Sequence, residues 1–283
     1  MNLHDLTARL EQADWLDPVA RPLSRTVAKV VSTAPVKSLL SGTWLGHPLH
    51  PLLTDIPIGS WTSAFVLDLV GGKRSWPAAD QLIGFGVLTA VPTAAAGFSD
   101  WSDCLGAERR VGLGHAGANL VAVGCYAMSY LARRRGFRSR GLALSFAGAG
   151  VATVGGFLGG HLSYSQGVNV NRNAWEEDIG EWADVLEESA LVEGRPVVVQ
   201  AGGTDILLVR SGGRITAIAD RCSHAGGPLH EGTVDGQCVT CPWHQSTFRL
   251  GDGAVSRGPA TAPQPAFEVR CDSGRILLRS SRR

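Results

Sequence analysis

Hydrophobic positions are unevenly spread along this 283-residue chain. Long apolar runs crowd its middle, at residues 52–70, 78–98, 111–131 and 141–162. Each offers about twenty residues with few charges, the length a helix needs to cross a hydrocarbon layer of roughly 30 Å. They lack the polar face of a helix half-exposed to water, which argues against a buried bundle in a soluble protein. Short polar connectors, GGKRSWP, SDWSDCLGAERR and ARRRGFRSR, separate them. Past residue 182 the texture changes. PVVVQ, DILLVR and RITAIAD are β-branched runs joined by AGGT and SGGR, and FEVRC and RILLR flank DSG. Gly-Gly between such runs predicts hairpins. The expected fold class is multidomain: an N-terminal α-helical membrane bundle of four transmembrane helices, then a C-terminal all-β domain. The expected boundaries are a polar or interfacial segment at 1–50, the transmembrane domain at 51–163, a linker at 164–181 and the β domain at 182–283.

Composition sharpens this in three ways. Charged residues make up only 18% of the chain, against a usual quarter. The net charge of +1 supplies no basic surface for nucleic acid, so the partners expected are membrane lipid and other redox molecules or proteins. The first twenty residues, MNLHDLTARLEQADWLDPVA, contain acids and no continuous apolar core, so no signal peptide is expected. The location expected is the bacterial cytoplasmic membrane, multi-pass. Lys73, Arg74, Arg133, Arg134, Arg135, Arg138 and Arg140 load the first and third connectors. The positive-inside rule keeps those loops in the cytoplasm and favours the extracytoplasmic side for the β domain. The basic N-terminal segment and the lack of an export leader argue for the other side.

Helix parity locates polar side chains in the apolar half. With four spans, the N-terminus, the second connector and the C-terminal domain share one side of the membrane. His47 and His50 precede the first span in GHPLHPLLTDIP, His115 lies one turn into the third, and His161 ends the fourth. Together with Asp55, Asp100 and Asp103 they are expected to gather at one membrane face. Such histidines either enjoy interfacial water or form a haem b, metal or quinone site. Pro48 and Pro51 are expected to delay the first helix until about Leu52, and Asp68 is read as interfacial beside Lys73 and Arg74. Gly155 with Gly159, and Gly156 with Gly160, form overlapping GxxxG pairs that let helices approach closely. This half resembles a bacterial four-helix membrane domain of unknown activity, marked by GHPLHPLL and a first span containing proline and glycine. The resemblance covers about residues 40 to 165 and implies topology only.

The β half carries two loops with chemistry, RCSHAGGPLHEG and CPWHQSTF. Cys222-x-His224 and Cys241-x-x-His244 are two thiolate–imidazole pairs, expected on separate hairpin tips. Such a set could bind zinc, but a zinc finger would need a helix with spaced histidines, and here each loop gives one Cys and one His. Two sulfurs on one iron and two imidazoles on a second is the ligation of a [2Fe–2S] centre of raised potential. His230 lies outside the ligand spacing and is read as a surface or turn histidine, and Cys238 as a buried strand residue. Cys104, Cys125 and Cys271 have no apparent partners.

These loops and their flanks, CPWH, Ser246, Phe248 and GDGAV followed by GPA, resemble the Rieske [2Fe–2S] ferredoxin-like family over about residues 182 to 280. The resemblance implies cluster ligands Cys222, His224, Cys241 and His244. Rieske proteins of the cytochrome bc type carry a disulfide across the cluster. The matching positions here are Gly227 and Trp243, so that disulfide is not expected. Ser246 matches a serine that donates to a bridging sulfide, while Phe248 replaces a tyrosine that donates to a ligand sulfur. Trp243 is expected to shield the cluster, and Gln245 replaces a usual glycine. Fewer donors predict a low-potential cluster. No histidine follows His244, so the mononuclear iron site of a terminal oxygenase is not expected there. The function expected is a membrane-anchored carrier of single electrons to or from a redox partner protein or quinone, rather than a complete enzyme. Alternatives are the ferredoxin feeding a Rieske-type oxygenase and a redox-sensing membrane module.

Overall fold

The computed structural model describes residues 3–281. They form two compact units, one of which joins the segment ending at Ser32 to Leu49–Val168, and the other Thr33–Pro48 to the chain from Asn169 onward. Among the described residues the α-helices are α1 (Leu3–Glu11), α2 (Asp17–Val30), α3 (Ala34–Ser41), α4 (Leu49–Val70), α5 (Trp76–Trp101), α6 (Gly106–Arg134) and α7 (Arg138–Gly160). α3 belongs to the second unit and the rest to the first.

In the helical unit α4 packs against α5 and α6 against α7, and α5 against α6 joins the two hairpins. α4 begins at Leu49, earlier than the prolines suggested. Pro51 falls in the first turn, where a backbone N–H has no helical acceptor and its loss costs nothing. Three helical stretches, Lys73–Trp101, Gly106–Arg134 and Arg138–Ser165, are long and apolar enough to cross a membrane. α4 is not among them, although it is 22 residues long. Thr54, Asp55, Ser60, Thr62, Ser63 and Asp68 dilute its apolar character. Trp61 stacks on Tyr126 at 4.1 Å between ring centroids in the centre of the unit. Leu88, Val91, Leu120, Val121 and Met128 instead face outward.

Asp68 is not the interfacial residue expected. Its carboxylate receives Arg133 at 2.5 Å and also pairs with Arg138. Arg133 reaches Asp80 at 3.0 Å and the hydroxyls of Ser129 and Ser145 at 3.1 and 3.0 Å. Arg138 reaches Asp80 at 2.5 Å and lies 4.7 Å from the Trp76 ring centroid. One acid or base from each of α4, α5, α6 and α7 thus enters a single network. The Arg133 side chain is 0% exposed and that of Asp68 3%. Leaving either unpaired there would cost several kcal/mol, so the network fixes the helices by making each partner obligatory.

The second unit is antiparallel β. Its strands are β1 (Ala183–Glu187), β2 (Val197–Ala201), β3 (Thr204–Ser211), β4 (Arg214–Ala219), β5 (Thr233–Asp235), β6 (Cys238–Thr240), β7 (Thr247–Arg249), β8 (Val255–Arg257), β9 (Ala266–Asp272) and β10 (Arg275–Ser280). One sheet runs β1-β10-β9-β4-β3-β2 and a smaller one β5-β6-β7-β8. The Gly202-Gly203 and Gly212-Gly213 turns have φ of 56° and 79°, and 59° and 77°. Only glycine takes that pair of left-handed conformations readily, and it produces the tight hairpins β2–β3 and β3–β4. β3 explains the unbroken run DILLVR. Ile206 and Leu208 join a core on one face of the sheet, while Leu207 and Val209 join the other core, which also holds Cys222, Cys241 and Phe248. α3 and the turn after it pack on the loop between β8 and β9, where Ser38 Oγ accepts from Gly258 N at 3.1 Å. Thr43 Oγ1 donates to the carbonyl of Ala260 at 3.0 Å. Residues 169–181 also fold with this unit, Asn173 being buried in it.

Candidate metal centre

Two loops reach the second core from different directions. The first connects β4 of the large sheet to β5 of the small one, so it is not the hairpin tip expected. Cys222 N donates to Gly227 O at 2.9 Å and Gly226 N to Cys222 O at 2.8 Å, which curls the loop around its cysteine. The second loop closes the β6–β7 hairpin, where Cys241 N donates to Ser246 O at 2.8 Å and Gln245 N to Cys241 O at 3.1 Å.

The Cys222 and Cys241 side chains are both buried, are not joined in a disulfide and lie close enough to interact. The neighbouring Cys241 sulfur and burial push the Cys222 thiol up, whereas Cys222 pulls that of Cys241 down. The His224 and His244 rings lie 5.0 Å apart between centroids, at 88°. Two imidazoles bound to one metal through bonds of about 2 Å, at a roughly tetrahedral angle, have centroids about 5 Å apart. The donor set therefore fits a centre with sulfur at one end and nitrogen at the other.

Neighbouring residues explain how the loops are held so close. A β-carbon on Gly227 would meet Cys241 Sγ at 2.9 Å and the Trp243 ring at 3.0 Å. Trp243 thus lies against the approach of the two loops, while the residue as a whole is 52% exposed. Gln245 takes φ 63°, the left-handed conformation that glycine adopts without strain, so the loop keeps its turn. Ser246 is fully buried, and its Oγ accepts from Ala260 N at 2.9 Å. An accepting hydroxyl keeps its own proton free to donate. Phe248, also fully buried, packs in the core.

Sequence reasoning missed the residues that brace the first loop. Gln264 Oε1 accepts from Ser223 N at 3.1 Å and Asn173 Nδ2 at 2.7 Å. Gln264 Nε2 and Asn173 Nδ2 both donate to Arg221 O, at 3.0 and 2.8 Å. His230 is half-exposed, and its Nδ1 lies 2.7 Å from Asp220 Oδ2, while Asp220 Oδ1 accepts from His230 N at 2.8 Å. No spacing rule marks these amides, which are distant in sequence and lie in irregular segments. Cys238 is only half-buried, because its side of β6 faces away from the core.

Of the apolar-half histidines the structure brings two together. His50 and His115 rings lie 6.2 Å apart at 86°. His161 instead has Nε2 2.7 Å from Glu11 Oε1. His47 belongs to the other unit. Asp55 is exposed and Asp100 buried. Among the described residues no three His, Cys, Asp or Glu side chains are grouped as a single-ion site. The Gly155/Gly159 pair makes room for side chains: β-carbons there would meet Asn119 at 2.7 Å and His115 at 3.0 Å.

Residues 181–268 match the family described as Rieske [2Fe-2S] domain, and residues 46–172 that described as Predicted membrane protein (DUF2231). The anthranilate 1,2-dioxygenase ferredoxin subunit of Burkholderia cepacia is 32% identical, over 36% of this chain and 94% of that protein. The 3-phenylpropionate/cinnamic acid dioxygenase ferredoxin subunit of Escherichia coli (strain K12) is 36% identical, over 34% of this chain and 85% of that protein. Among solved structures, the ferredoxin of carbazole 1,9a-dioxygenase from Nocardioides aromaticivorans IC177 is 28% identical. It matches 36% of this chain and all of that chain, with a TM-score of 0.35. The β unit and its two cysteine–histidine loops define an iron–sulfur electron-transfer domain. The chain belongs to the Rieske [2Fe–2S] family and joins that domain to a predicted membrane-protein domain.

Proposed function

We propose that this chain is a membrane-anchored Rieske protein that carries single electrons, with Cys222, His224, Cys241 and His244 as its cluster ligands. The observation that carries the reading is the meeting of two buried cysteines free of any disulfide and two imidazoles from adjoining loops. A bound [2Fe–2S] group supplies a one-electron couple tuned by its ligands and their hydrogen bonds. Ser246 holds a hydroxyl proton ready beside the second loop, Trp243 limits water at the sulfur side, and Gly227 allows the two loops to touch.

α4 is the fourth span in this reading. Its 22 residues reach about 33 Å at 1.5 Å each. Leu52, Ile56, Ile58, Val66 and Leu69 point outward from it, as lipid-facing residues do. The cationic connectors then lie in the bacterial cytoplasm, and the end of α7 on the extracytoplasmic side.

The partner that receives or supplies the electron is a protein, a reading favoured by the ferredoxin subunits among the relatives. The test is reduction of the detergent-purified chain, followed by electron paramagnetic resonance and iron and acid-labile sulfide analysis. Two irons and two sulfides per chain with a Rieske signal are expected. Zinc without sulfide would overturn the assignment.

A further inference from the structure

The helical unit is built twice. His50, Trp61 and Asp68 of α4 correspond to His115, Tyr126 and Arg133 of α6 at a constant offset of 65. Trp76, Gly86 and Gly97 of α5 correspond to Arg138, Gly148 and Gly159 of α7, again at one offset. Counterparts also touch. His50 faces His115, Trp61 stacks on Tyr126, Asp68 pairs with Arg133, and Arg138 covers Trp76. Gly86 makes room for Trp61 as Gly148 does for Tyr126, and Gly97 for His50 as Gly159 does for His115. Equivalent residues that contact each other lie on a two-fold axis. The hairpins α4–α5 and α6–α7 are therefore parallel repeats about an axis running along the bundle.

The two histidines on that axis are prepared alike. His50 Nδ1 lies 2.9 Å from Thr93 O, and His115 Nδ1 lies 2.8 Å from Gly155 O. A carbonyl only accepts, so each Nδ1 carries the proton and each Nε2 keeps its lone pair. Asn119 Nδ2 is 3.3 Å from both nitrogens of His115, hence not aligned with the Nε2 lone pair, and donates to His115 O at 2.9 Å. Tying Nδ1–H to a backbone carbonyl is how proteins orient a histidine for a metal. Two imidazoles on opposite sides of one metal, with bonds of about 2 Å, have centroids about 6 Å apart. The observed separation is 6.2 Å.

We propose that His50 and His115 hold one transition-metal centre between their Nε2 atoms, a bare soft ion or the iron of a haem. The site involves none of the cluster residues, so it stands or falls independently of the iron–sulfur reading.

The test uses the full detergent-purified chain with its cluster in place, titrated with haemin and, anaerobically, with Cu(I) against a chromophoric chelator. Wild type is expected to take one equivalent of one of them. A Soret band with a low-spin bis-imidazole resonance identifies haem. Copper taken up without that band, with two nitrogens at about 2 Å by X-ray absorption, identifies the bare ion. His50→Asn and His115→Asn keep an N–H for the carbonyl but offer no Nε2. Each should weaken binding at least about 100-fold, while His161→Asn should not. Failure of wild type to bind either probe overturns the proposal. So does undiminished binding by folded variants, or a spectrum without paired imidazoles.

Discussion

Gly227 and Cys241 approach so closely that a single methyl group on the glycine would sit 2.9 Å from the cysteine sulfur. Gly227→Ala should force the loops apart. An overpacking cost of about 1–3 kcal/mol is expected, with iron per chain falling well below two and a lower melting temperature of the visible absorption. Unchanged iron content would show that the loops can separate at no cost.

Gln245 bears the opposite strain. A non-glycine residue at φ 63° costs about 1–2 kcal/mol, part of which glycine's greater freedom in the unfolded chain offsets. Gln245→Gly should therefore stabilise the loop by about 1 kcal/mol, read as slower thermal bleaching of the cluster. Faster bleaching would mean that the contact of Gln245 Oε1 with Arg257, at 3.3 Å, matters more.

The midpoint potential should lie toward the low end of a range of about −150 to +300 mV, since Phe248 offers no donor and Gly227 no disulfide. Ser246→Ala removes one hydroxyl donor worth about 1 kcal/mol, so a further drop of about 40 mV is expected in a redox titration. A wild-type value above about +200 mV would contradict the donor count.

Arg133→Ala should destabilise the helical unit by about 3 kcal/mol, toward the low end for a broken buried pair, because Asp68 keeps only Arg138 and a void is left where the guanidinium lay. Arg134→Ala, exposed one position later, is the control and should change little. Thermal unfolding of both in detergent separates network from helix propensity.

Acid should act late on α2. The guanidinium groups of Arg110 and Arg21 hold the Asp17 carboxyl well below the usual carboxylate range. A depressed folded value means that stability is present above the unfolded value of about 3.9 and lost as pH falls through the folded one. Protease protection of α2 should thus persist at pH 4, and Asp17→Asn should reduce it at neutral pH, modestly because these ion pairs are open to solvent.

The cluster motif was legible because Cys222-x-His224 and Cys241-x-x-His244 are local, and local spacing survives without knowledge of the fold. Asn173 and Gln264 escaped because their meeting with Arg221 and Ser223 depends on where distant loops fall. Hydropathy found the apolar segments but misjudged Asp68, whose partners Arg133 and Arg138 come from other helices. The expected gathering of His47, His50, His115 and His161 was argued from height in the membrane alone. Azimuth around each helix, which height does not give, selects the contacts: His50 meets His115, and His161 turns to Glu11. The +65 correspondence was visible in principle, yet sparse identities such as Gly59 with Gly124 carry little signal until contacts align them.

The strap at residues 33–48 has a consequence for synthesis. It leaves the ribosome before the whole bundle, yet the Gly258 and Ala260 groups that Ser38 and Thr43 bind are made after it. At about 5–20 residues per second, roughly ten seconds separate Pro48 from Asn169 alone. During that interval the strap has no sheet to fold on. The order of translation therefore makes closure of the β domain wait until helices α4 to α7 have been made, because strap and sheet flank those helices in the chain.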